Sequence, residues 1–274
     1  MVRRTVFFVS DQTGVTAETL GHSLLTQFDG FEFAQVTLPF IDTTDKARRI
    51  AERVDRTAAE EGLRPIVFLS VMQDEVRAPL MKCKALVLDF FQTFLKPLEA
   101  ELKKESLHVL GRAHGMFDLS AYNFRINAIN FAMAADDGHA PRSYEQADLV
   151  LLGVSRSGKT PTCLYLALHY GVLAANYPLA EDDLELGRLP ALLEPYRQKL
   201  YGLTISPERL RQIRLERRPR GRYATVEQVG FELRAAEGLF TRYDIPHIDT
   251  THSSIEEIAS KILDHTGVER RVRS

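Results

Sequence analysis

The chain has 274 residues, of which 45% are hydrophobic and 26% charged, and its formal net charge is −2. This composition is ordinary for a globular protein with a sizeable core, and the length suffices for one large domain or two modest ones. A net charge this close to zero excludes a global electrostatic case for nucleic-acid binding, and no stretch approaches the roughly 20 apolar residues of a membrane span.

Strand-like runs of β-branched and aromatic residues alternate with helix-like segments through the first hundred residues. This order predicts a parallel sheet covered by helices. The predicted strands are 5–10, 33–40, 65–71 and 85–91. The predicted helices are 15–28, 43–61 and 92–104. We therefore expect residues 1–105 to form an N-terminal α/β domain.

The alternation breaks at residues 106–122, which contain two glycines and two histidines without a clear period. We interpret this segment as a linker or a site loop. A helix is predicted over 123–138, where Gly138 ends it. Residues 106–145 are thus expected to be a connecting loop and helix between two domains.

The second half repeats the strand and helix alternation. The predicted strands are 148–155, 171–179, 201–206 and 245–251. Helices are predicted from the end of the first of these strands to Gly171, and over 207–217, 226–243 and 254–267. Residues 146–274 are therefore expected to form a C-terminal P-loop kinase-like α/β domain, so that the chain as a whole is of the α/β class.

Residues 153–160, Gly-Val-Ser-Arg-Ser-Gly-Lys-Thr, fit the pattern G-x-x-x-x-G-K-[ST] of a phosphate-binding P-loop. Glycines let the backbone wrap closely around phosphate oxygens, and the N-terminus of the following helix attracts anions. Lys159 is placed to neutralise terminal phosphates, and the Thr160 hydroxyl can bind Mg²⁺. The predicted nucleotide-binding residues are Gly153, Val154, Ser155, Arg156, Ser157, Gly158, Lys159 and Thr160.

The P-loop pattern identifies neither the nucleotide nor the acceptor of the phosphoryl group. The sequence lacks Asn-Lys-x-Asp, which argues against a GTPase. It also lacks His-Arg-Asp and Asp-Phe-Gly, which excludes the usual protein-kinase fold. A nucleotide-dependent phosphotransferase of another kind remains.

A second polar stretch, Ser-Asp-Gln-Thr-Gly-Val-Thr over 10–16, follows the first predicted strand and opens a helix. Parallel α/β proteins bind ligands at the carboxyl ends of their strands, so this stretch is a candidate site. Asp11 could act as a general base towards a hydroxyl group, with Ser10, Thr13 and Thr16 positioning phosphate. The simpler alternative is helix capping, since Ser, Thr and Asp are preferred cap residues.

Other polar residues admit two interpretations each. Asp136 and Asp137 end a predicted helix, where they either face solvent or help to bind Mg²⁺. Arg112 and His114 lie in the irregular segment, where they either contact phosphate or form a polar surface loop. Asp249, at the end of the last predicted strand, either caps the helix that follows or has a Walker-B-like role. Asp89 also resembles a Walker B aspartate, but it lies in the wrong half of the chain.

Residues 209–222 are rich in arginine and contain no lysine. Because arginine binds phosphate in bidentate fashion, this segment suits a mobile lid over a nucleotide or a docking surface for an acidic partner. A solvated helix face is the ordinary alternative. Nucleic-acid binding is the weakest interpretation, since no aromatic residues interleave with the arginines.

Four segments together resemble one family: 10–19, 111–114, 124–138 and 153–167. The combination is similar to the bacterial phosphoenolpyruvate synthase regulatory proteins, whose relatives regulate pyruvate, phosphate dikinase in bacteria and plant chloroplasts. The resemblance extends through most of the chain, and residues 248–263 fit as well. One departure concerns Asn127 and Asn130, which stand where an acidic residue is expected in relatives, so we assign no catalytic charge there.

The resemblance implies a bifunctional enzyme. Such proteins use ADP to phosphorylate a threonine of the target dikinase, near the target's own catalytic histidine, which inactivates it. They also remove that phosphate with inorganic phosphate, which forms pyrophosphate and restores activity. On this basis Asp11 and Lys159 are the expected catalytic residues, ADP and inorganic phosphate the expected substrates, and Mg²⁺ the expected metal ion, bound by Thr160 and Asp137.

Two rival interpretations remain open: a small-molecule P-loop kinase and a non-catalytic nucleotide sensor. The N-terminal half argues against the first, because such kinases are usually the size of the second half alone. The sequence does not identify the target dikinase, and it leaves open whether the chain forms a homodimer. The two cysteines, Cys83 and Cys163, form no disulfide framework, and the chain starts directly in a predicted strand, so the bacterial cytoplasm is the expected location.

Overall fold

The computed structural model describes residues 2–107, 119–138, 143–218 and 221–272. The chain divides into two compact units, Met1–Gly115 and Met116–Ser274. Each unit contains one four-stranded parallel sheet, which confirms the predicted α/β class. In the part of the chain that is described, no helix has the length and apolar character to span a membrane.

The sheet of the first unit has the strand order β2-β1-β3-β4. Its strands are β1 (Val2–Ser10), β2 (Phe31–Leu38), β3 (Ile66–Ser70) and β4 (Leu86–Asp89). The helices of this unit are α1 (Val15–Leu25), α2 (Thr44–Glu61), α3 (Asp74–Leu80) and α4 (Phe90–Leu102). The sheet carries a buried layer on each face, so β3 is apolar along its length except for its last residue.

The first unit differs from the prediction in three details of its strands and helices. Residues 90 and 91, expected in a strand, begin α4 because the Asp89 carboxylate accepts a hydrogen bond from the Gln92 N–H and caps the helix. Strand β2 ends at Leu38, and Phe40 has a φ of 59°, which a strand does not accommodate. Helix α3 was not predicted, since it is only seven residues long and contains Pro79.

The sheet of the second unit has the strand order β6-β5-β7-β8. Its strands are β5 (Leu149–Gly153), β6 (Ala174–Pro178), β7 (Leu200–Thr204) and β8 (His247–Asp249). The helices are α5 (Leu119–Ala134), α6 (Ser143–Gln146), α7 (Lys159–Tyr170), α8 (Glu181–Leu186), α9 (Pro207–Arg217), α10 (Val226–Arg242) and α11 (Ile255–Thr266). Single 3₁₀ turns occupy Asp136–Gly138, Glu194–Lys199 and Arg222–Ala224.

The prediction for the second unit was wrong at both ends of the helix before the 153–160 segment, and it missed one short helix. Helix α5 begins at Leu119, inside the segment that we expected to be irregular, and it ends at Ala134 instead of Gly138. It packs against α7 and lies in the second unit. Helix α8 was not predicted. The three-part division at residues 105 and 145 stays a prediction.

Both sheets have their first strand in an interior position, with the second strand on one side and the third on the other. In parallel α/β folds this reversal of direction opens a crevice at the carboxyl ends of the strands, where ligands bind. The two predicted site loops follow the first strand of their sheets, since residues 10–16 follow β1 and residues 153–160 follow β5. The topology therefore places both loops at such a position, each within its own unit.

Candidate functional site

Residues 153–160, hereafter the 153–160 loop, connect the buried strand β5 to helix α7. Gly158 caps the helix with a left-handed conformation, φ 96° and ψ 7°, and no side chain of the described residues makes a capping hydrogen bond to α7. A helix N-terminus left open in this way carries partial positive charge and directs N–H donors at its ligand. The loop is therefore suited to an anion such as phosphate.

Lys159 extends its side chain inward and is 5% exposed. Its Nζ atom donates hydrogen bonds to the carbonyl oxygens of Gly153, at 3.0 Å, and Val154, at 2.9 Å. Burial lowers the pKa of Lys159 to about 8, although the nearby Asp137 opposes the shift. The amine thus lies inside the loop with neutral oxygen partners, and an anion bound there would stabilise its charged form.

A cavity of about 290 Å³ opens beside the loop. Six of the predicted site residues line it: Asp137, Ser155, Arg156, Gly158, Lys159 and Thr160. The sequence-based prediction missed three more lining residues: Pro161, Pro178 and Ile213. The remaining predicted nucleotide-binding residues, Gly153, Val154 and Ser157, are not among the lining residues, and the last two are buried.

Arg156 adds a second cation to this cavity. It has a φ of 76°, an uncommon conformation for a residue other than glycine, which costs free energy unless the surroundings enforce it. Its Nε atom is buried and has no hydrogen-bond partner within the described residues. A strained arginine with an unsatisfied donor is a typical feature of a ligand-binding loop.

The Thr160 hydroxyl donates a hydrogen bond to the Asp136 carboxylate. The Asn176 side chain, buried on β6, donates to the same carboxylate and accepts from the Asp137 N–H at 3.0 Å. Asp137 itself has a φ of 52° and lines the cavity. The buried asparagine therefore holds both aspartates of the 136–138 turn beside the start of α7.

The side-chain oxygen atoms near Thr160 suit a Mg²⁺ ion that is shared with a phosphate ligand better than a metal ion bound by protein side chains alone. The described residues contain no group of three or more His, Cys, Asp or Glu side chains placed to bind one metal ion. Mg²⁺ usually binds through one or two carboxylates together with substrate phosphates. The side-chain oxygen atoms of Thr160, Asp136 and Asp137 fit a site of this kind.

The loop at residues 10–16 has a comparable backbone. Gly14 caps α1 with φ 85° and ψ −9°, close to the angles of Gly158 in the 153–160 loop, and among the residues that the structure describes no side chain caps this helix. Capping therefore does not account for the polar residues here. Thr13 and Thr16 are exposed, while the buried Ser10 donates to the Ser70 carbonyl and accepts from the Gln12 N–H.

Asp11 lies at the carboxyl end of β1 and is 5% exposed. Its Oδ2 atom accepts a hydrogen bond of 2.6 Å from the Met72 N–H. Burial raises the pKa of Asp11, and the hydrogen bond with Met72 opposes this shift without cancelling it. A carboxylate with a raised pKa accepts protons more readily than an ordinary surface aspartate.

The other candidates lie outside these two loops. Asp249 accepts hydrogen bonds from the N–H and hydroxyl of Thr251, and it does not cap α11, because Ser254 does. Asp89 caps α4 and lies 3.5 Å from the Arg77 Nε atom, so it serves the fold of the first unit. Arg112 and His114 lie outside the described residues.

The arginine-rich segment contains one residue that does not fit the solvated-face interpretation. Arg214 is completely buried, so helix α9 is not a simple solvated face, and the guanidinium donates to the Ser155 carbonyl of the 153–160 loop. Arg214 follows the buried Leu210 by four residues, and this spacing on one helical face was the available signal. Other arginines of α9 are exposed, including Arg209, Arg211 and Arg217.

Fold and site together define a parallel α/β protein in which a helix N-terminus, a buried amine, a strained arginine and the Asp137 carboxylate line one cavity, with Asp136 bonded to Thr160 beside it. The chain belongs to the kinase/pyrophosphorylase family, which matches residues 6–263. It is similar to curated proteins named phosphoenolpyruvate synthase regulatory protein. The identity is 52% over 270 residues with that of Alkalilimnicola ehrlichii, covering 98% of each chain. It is 48% over 271 residues with that of Legionella pneumophila (strain Corby), covering 99% of this chain and 100% of the relative.

Proposed function

We propose that this protein is a bifunctional regulator of phosphoenolpyruvate synthase or of pyruvate, phosphate dikinase. In one direction it transfers the β-phosphoryl group of ADP to a threonine of the dikinase, which inactivates the target. In the other direction it transfers that phosphoryl group to inorganic phosphate, which forms pyrophosphate and reactivates the target. Family membership and the names of the relatives support both activities and a protein target.

The observation that carries the proposal is the environment of Lys159. The amine is buried and donates to two neutral carbonyl groups. Arg156 lines the same cavity, and its Nε atom has no hydrogen-bond partner within the described residues, so the cavity offers two cationic groups to an anion. These two cations and the open N–H groups of α7 would hold the phosphates of ADP. They would also stabilise the charge that develops as the phosphoryl group leaves AMP.

The oxygen ligands beside this cavity suit Mg²⁺. Thr160, Asp136 and Asp137 would hold the ion, with the Asn176 side chain orienting the aspartates. Bound there, Mg²⁺ neutralises phosphate charge.

We assign the base of the forward reaction to Asp11. As the threonine oxygen bonds to phosphorus and AMP leaves, the hydroxyl proton passes to the Asp11 carboxylate. The raised pKa of Asp11 and its hydrogen bond with Met72 support this role, since one makes the group more basic and the other fixes its orientation. Ser10, Thr13 and Thr16 are assigned to positioning the phosphate, and Arg112 and His114 stay predicted phosphate contacts.

For the reverse reaction we propose that inorganic phosphate uses the 153–160 loop, in the place that the ADP β-phosphate takes in the forward reaction. The phosphate oxygen then bonds to the phosphorus of phosphothreonine, and the threonine oxygen leaves and regains a proton. This scheme predicts that ADP competes with phosphate in the dephosphorylation assay. Independent binding of the two would contradict it and would require a second phosphate site.

The proposal is tested with purified full-length protein and each of the two dikinases. The mixture receives ADP and later inorganic phosphate, and mass spectrometry follows the threonine phosphorylation. We expect phosphothreonine to form with ADP and to disappear with phosphate as pyrophosphate accumulates. Phosphorylation of a small hydroxyl compound with ATP would instead indicate a small-molecule kinase. Nucleotide binding without turnover would indicate a sensor.

A further inference from the structure

Arg214 is the largest fully buried side chain among the described residues. Its Nη2 atom lies 2.6 Å from the Glu232 carboxylate, which is itself mostly buried. A buried ion pair seldom adds net stability, because the loss of solvation offsets the attraction between the charges. The conformation that this pair imposes on its surroundings is therefore of more interest than its contribution to folding.

The guanidinium and one neighbouring tyrosine hold Ser155 of the 153–160 loop at two points. Arg214 donates from Nη2 and Nε to the Ser155 carbonyl, at 3.1 and 3.4 Å. It also donates to the Tyr223 carbonyl at 2.9 Å and stacks on the Tyr223 ring at 4.3 Å. The Tyr223 hydroxyl lies 2.8 Å from the Ser155 hydroxyl. The Ser155 carbonyl is thus held by Arg214, and the Ser155 hydroxyl is held by Tyr223, which itself contacts Arg214.

This anchoring fixes the orientation of the next N–H group. The peptide between Ser155 and Arg156 is trans, so the carbonyl of one and the N–H of the other point in opposite directions in one plane. Because the carbonyl points at Arg214, the Arg156 N–H points away from it. Within the described residues no acceptor is bonded to this N–H, and Arg156 keeps its strained φ of 76°.

We propose that Arg214, assisted by Tyr223, is a positioning residue that locks the peptide between Ser155 and Arg156 so that the loop N–H groups face a bound phosphate. The proposal rests on the proposed function, in which ADP phosphates occupy the 153–160 loop. The proposal concerns the geometry of the Arg214 guanidinium more than its positive charge. A lysine at position 214 keeps the charge but lacks the planar fork that grips the carbonyl of Ser155 and that of Tyr223 together.

The test compares Arg214→Lys, Tyr223→Phe and the wild-type chain. Calorimetry measures the Kd for ADP and for pyrophosphate, and thermal unfolding measures the Tm. We expect Arg214→Lys to weaken both ligands by tenfold or more and Tyr223→Phe by a few fold, while the folded variants keep a cooperative transition. Arg234→Lys is the matched control, because Arg234 is an exposed arginine of α10 outside the 209–222 segment, and it leaves Kd and Tm unchanged.

The outcomes separate the two proposals. Wild-type affinity in Arg214→Lys, or a lower Tm without a weaker Kd, overturns the positioning role and leaves the proposed function intact. Absence of ADP and pyrophosphate binding in the wild-type chain overturns both. If Arg214→Lys does not fold, Tyr223→Phe decides, since it removes only the hydroxyl that contacts Ser155. Unchanged affinity in that variant counts against the inference.

Discussion

The Thr160 hydroxyl and the Asp136 carboxylate are 2.8 Å apart, although 24 residues separate them in the chain. Thr160 is the second residue of α7, and Asp136 lies in the 3₁₀ turn that follows α5. The two helices pack against each other, and this packing brings the acidic turn to the N-terminus of α7. The aspartate thus reaches the 153–160 loop from a segment that precedes the loop, and no strand end of the second sheet supplies it.

The first prediction concerns this aspartate and Mg²⁺. Asp136→Asn keeps the size and an acceptor for Thr160 but removes the negative charge. We expect the Mg²⁺ concentration that gives half-maximal kinase activity to rise by about 10- to 100-fold, as is typical when a residue that supports a metal site is changed. Asp264→Asn, which removes one exposed charge from α11, is the control. An unchanged Mg²⁺ requirement would mean that Asp136 only orients Thr160.

Lys159→Ala removes the buried amine from the 153–160 loop. We expect ADP-dependent phosphorylation of the dikinase to fall by at least about 100-fold, since loss of one charge-stabilising donor typically has this effect. Initial rates of threonine phosphorylation measure it. Circular dichroism accompanies the assay to verify folding. A folded variant that phosphorylates its target at the normal rate would show that the loop does not bind the reacting phosphates.

The affinity for ADP should also depend on pH through Lys159. The pKa of the free amine is about 8, and bound phosphate raises it, so binding is strongest where the amine is already protonated. We expect the Kd for ADP to change little between about pH 7 and pH 8, where the phosphates of ADP are fully ionised. Above pH 8 it should rise by about tenfold per pH unit until the pKa of the complex is reached. Calorimetric titrations between pH 6.5 and about 10 measure this, and a flat profile would contradict it.

The same pKa shift acts on stability with the opposite sign. The pKa of Lys159 in the folded protein is about 8, below the ordinary value of 10.5, so folding opposes protonation of this amine. Its stabilising contribution is present above the ordinary pKa and is lost as the pH falls through 8. We therefore expect the ligand-free protein to gain stability from this group over the alkaline range in which its affinity for ADP is predicted to fall.

The features that could be predicted from the sequence depend on interactions between residues close together in the chain, and those that were missed depend on contacts between distant segments. The 153–160 loop and the 10–16 loop each depend on local backbone geometry between a strand and a helix, and the sequence indicates both. The burial of Arg214 depends on packing among α9, the Arg222–Ala224 turn and α10, so a composition-based interpretation of the arginine run missed it. The pairing of Thr160 with Asp136 depends on how α5 packs on α7.

The short elements were missed for a different reason. Helix α3 contains Pro79, and α8 has only six residues, so neither presents the periodic apolar pattern on which helix prediction depends. The end of β4 was misplaced because Phe90 and Phe91 suit a strand by propensity. The carboxylate of Asp89 decides the outcome by capping α4.

Gly153→Ala tests how closely the loop packs on its sheet. A Cβ atom at this position would lie 2.6 Å from the Leu203 carbonyl oxygen and 2.6 Å from the Ser157 hydroxyl. Because the carbonyl belongs to a sheet strand, the loop must shift, and we expect a loss of about 1–3 kcal/mol in the free energy of unfolding. At Gly238 on α10 an added Cβ atom would meet open space, so Gly238→Ala should raise the free energy of unfolding by up to about 1 kcal/mol. Equal denaturant midpoints for the two variants would contradict the prediction.

Asp11→Asn separates the proposed base from a nucleotide ligand. Asparagine keeps the acceptor for the Met72 N–H but does not take a proton, so the phosphorylation rate should fall by about 10²- to 10⁴-fold while the Kd for ADP stays unchanged.

The same variant should also change the stability of the protein. The pKa of Asp11 is raised in the folded protein, so its contribution to stability is complete below its ordinary pKa and is lost as the pH rises through the folded value. The asparagine variant should therefore be at least as stable as the wild type at pH 7, with a smaller advantage in acid. Asp29→Asn, an exposed aspartate of the same unit, should change neither rate nor stability. Loss of ADP binding in Asp11→Asn would make Asp11 a nucleotide ligand, and a normal rate would exclude it as the base.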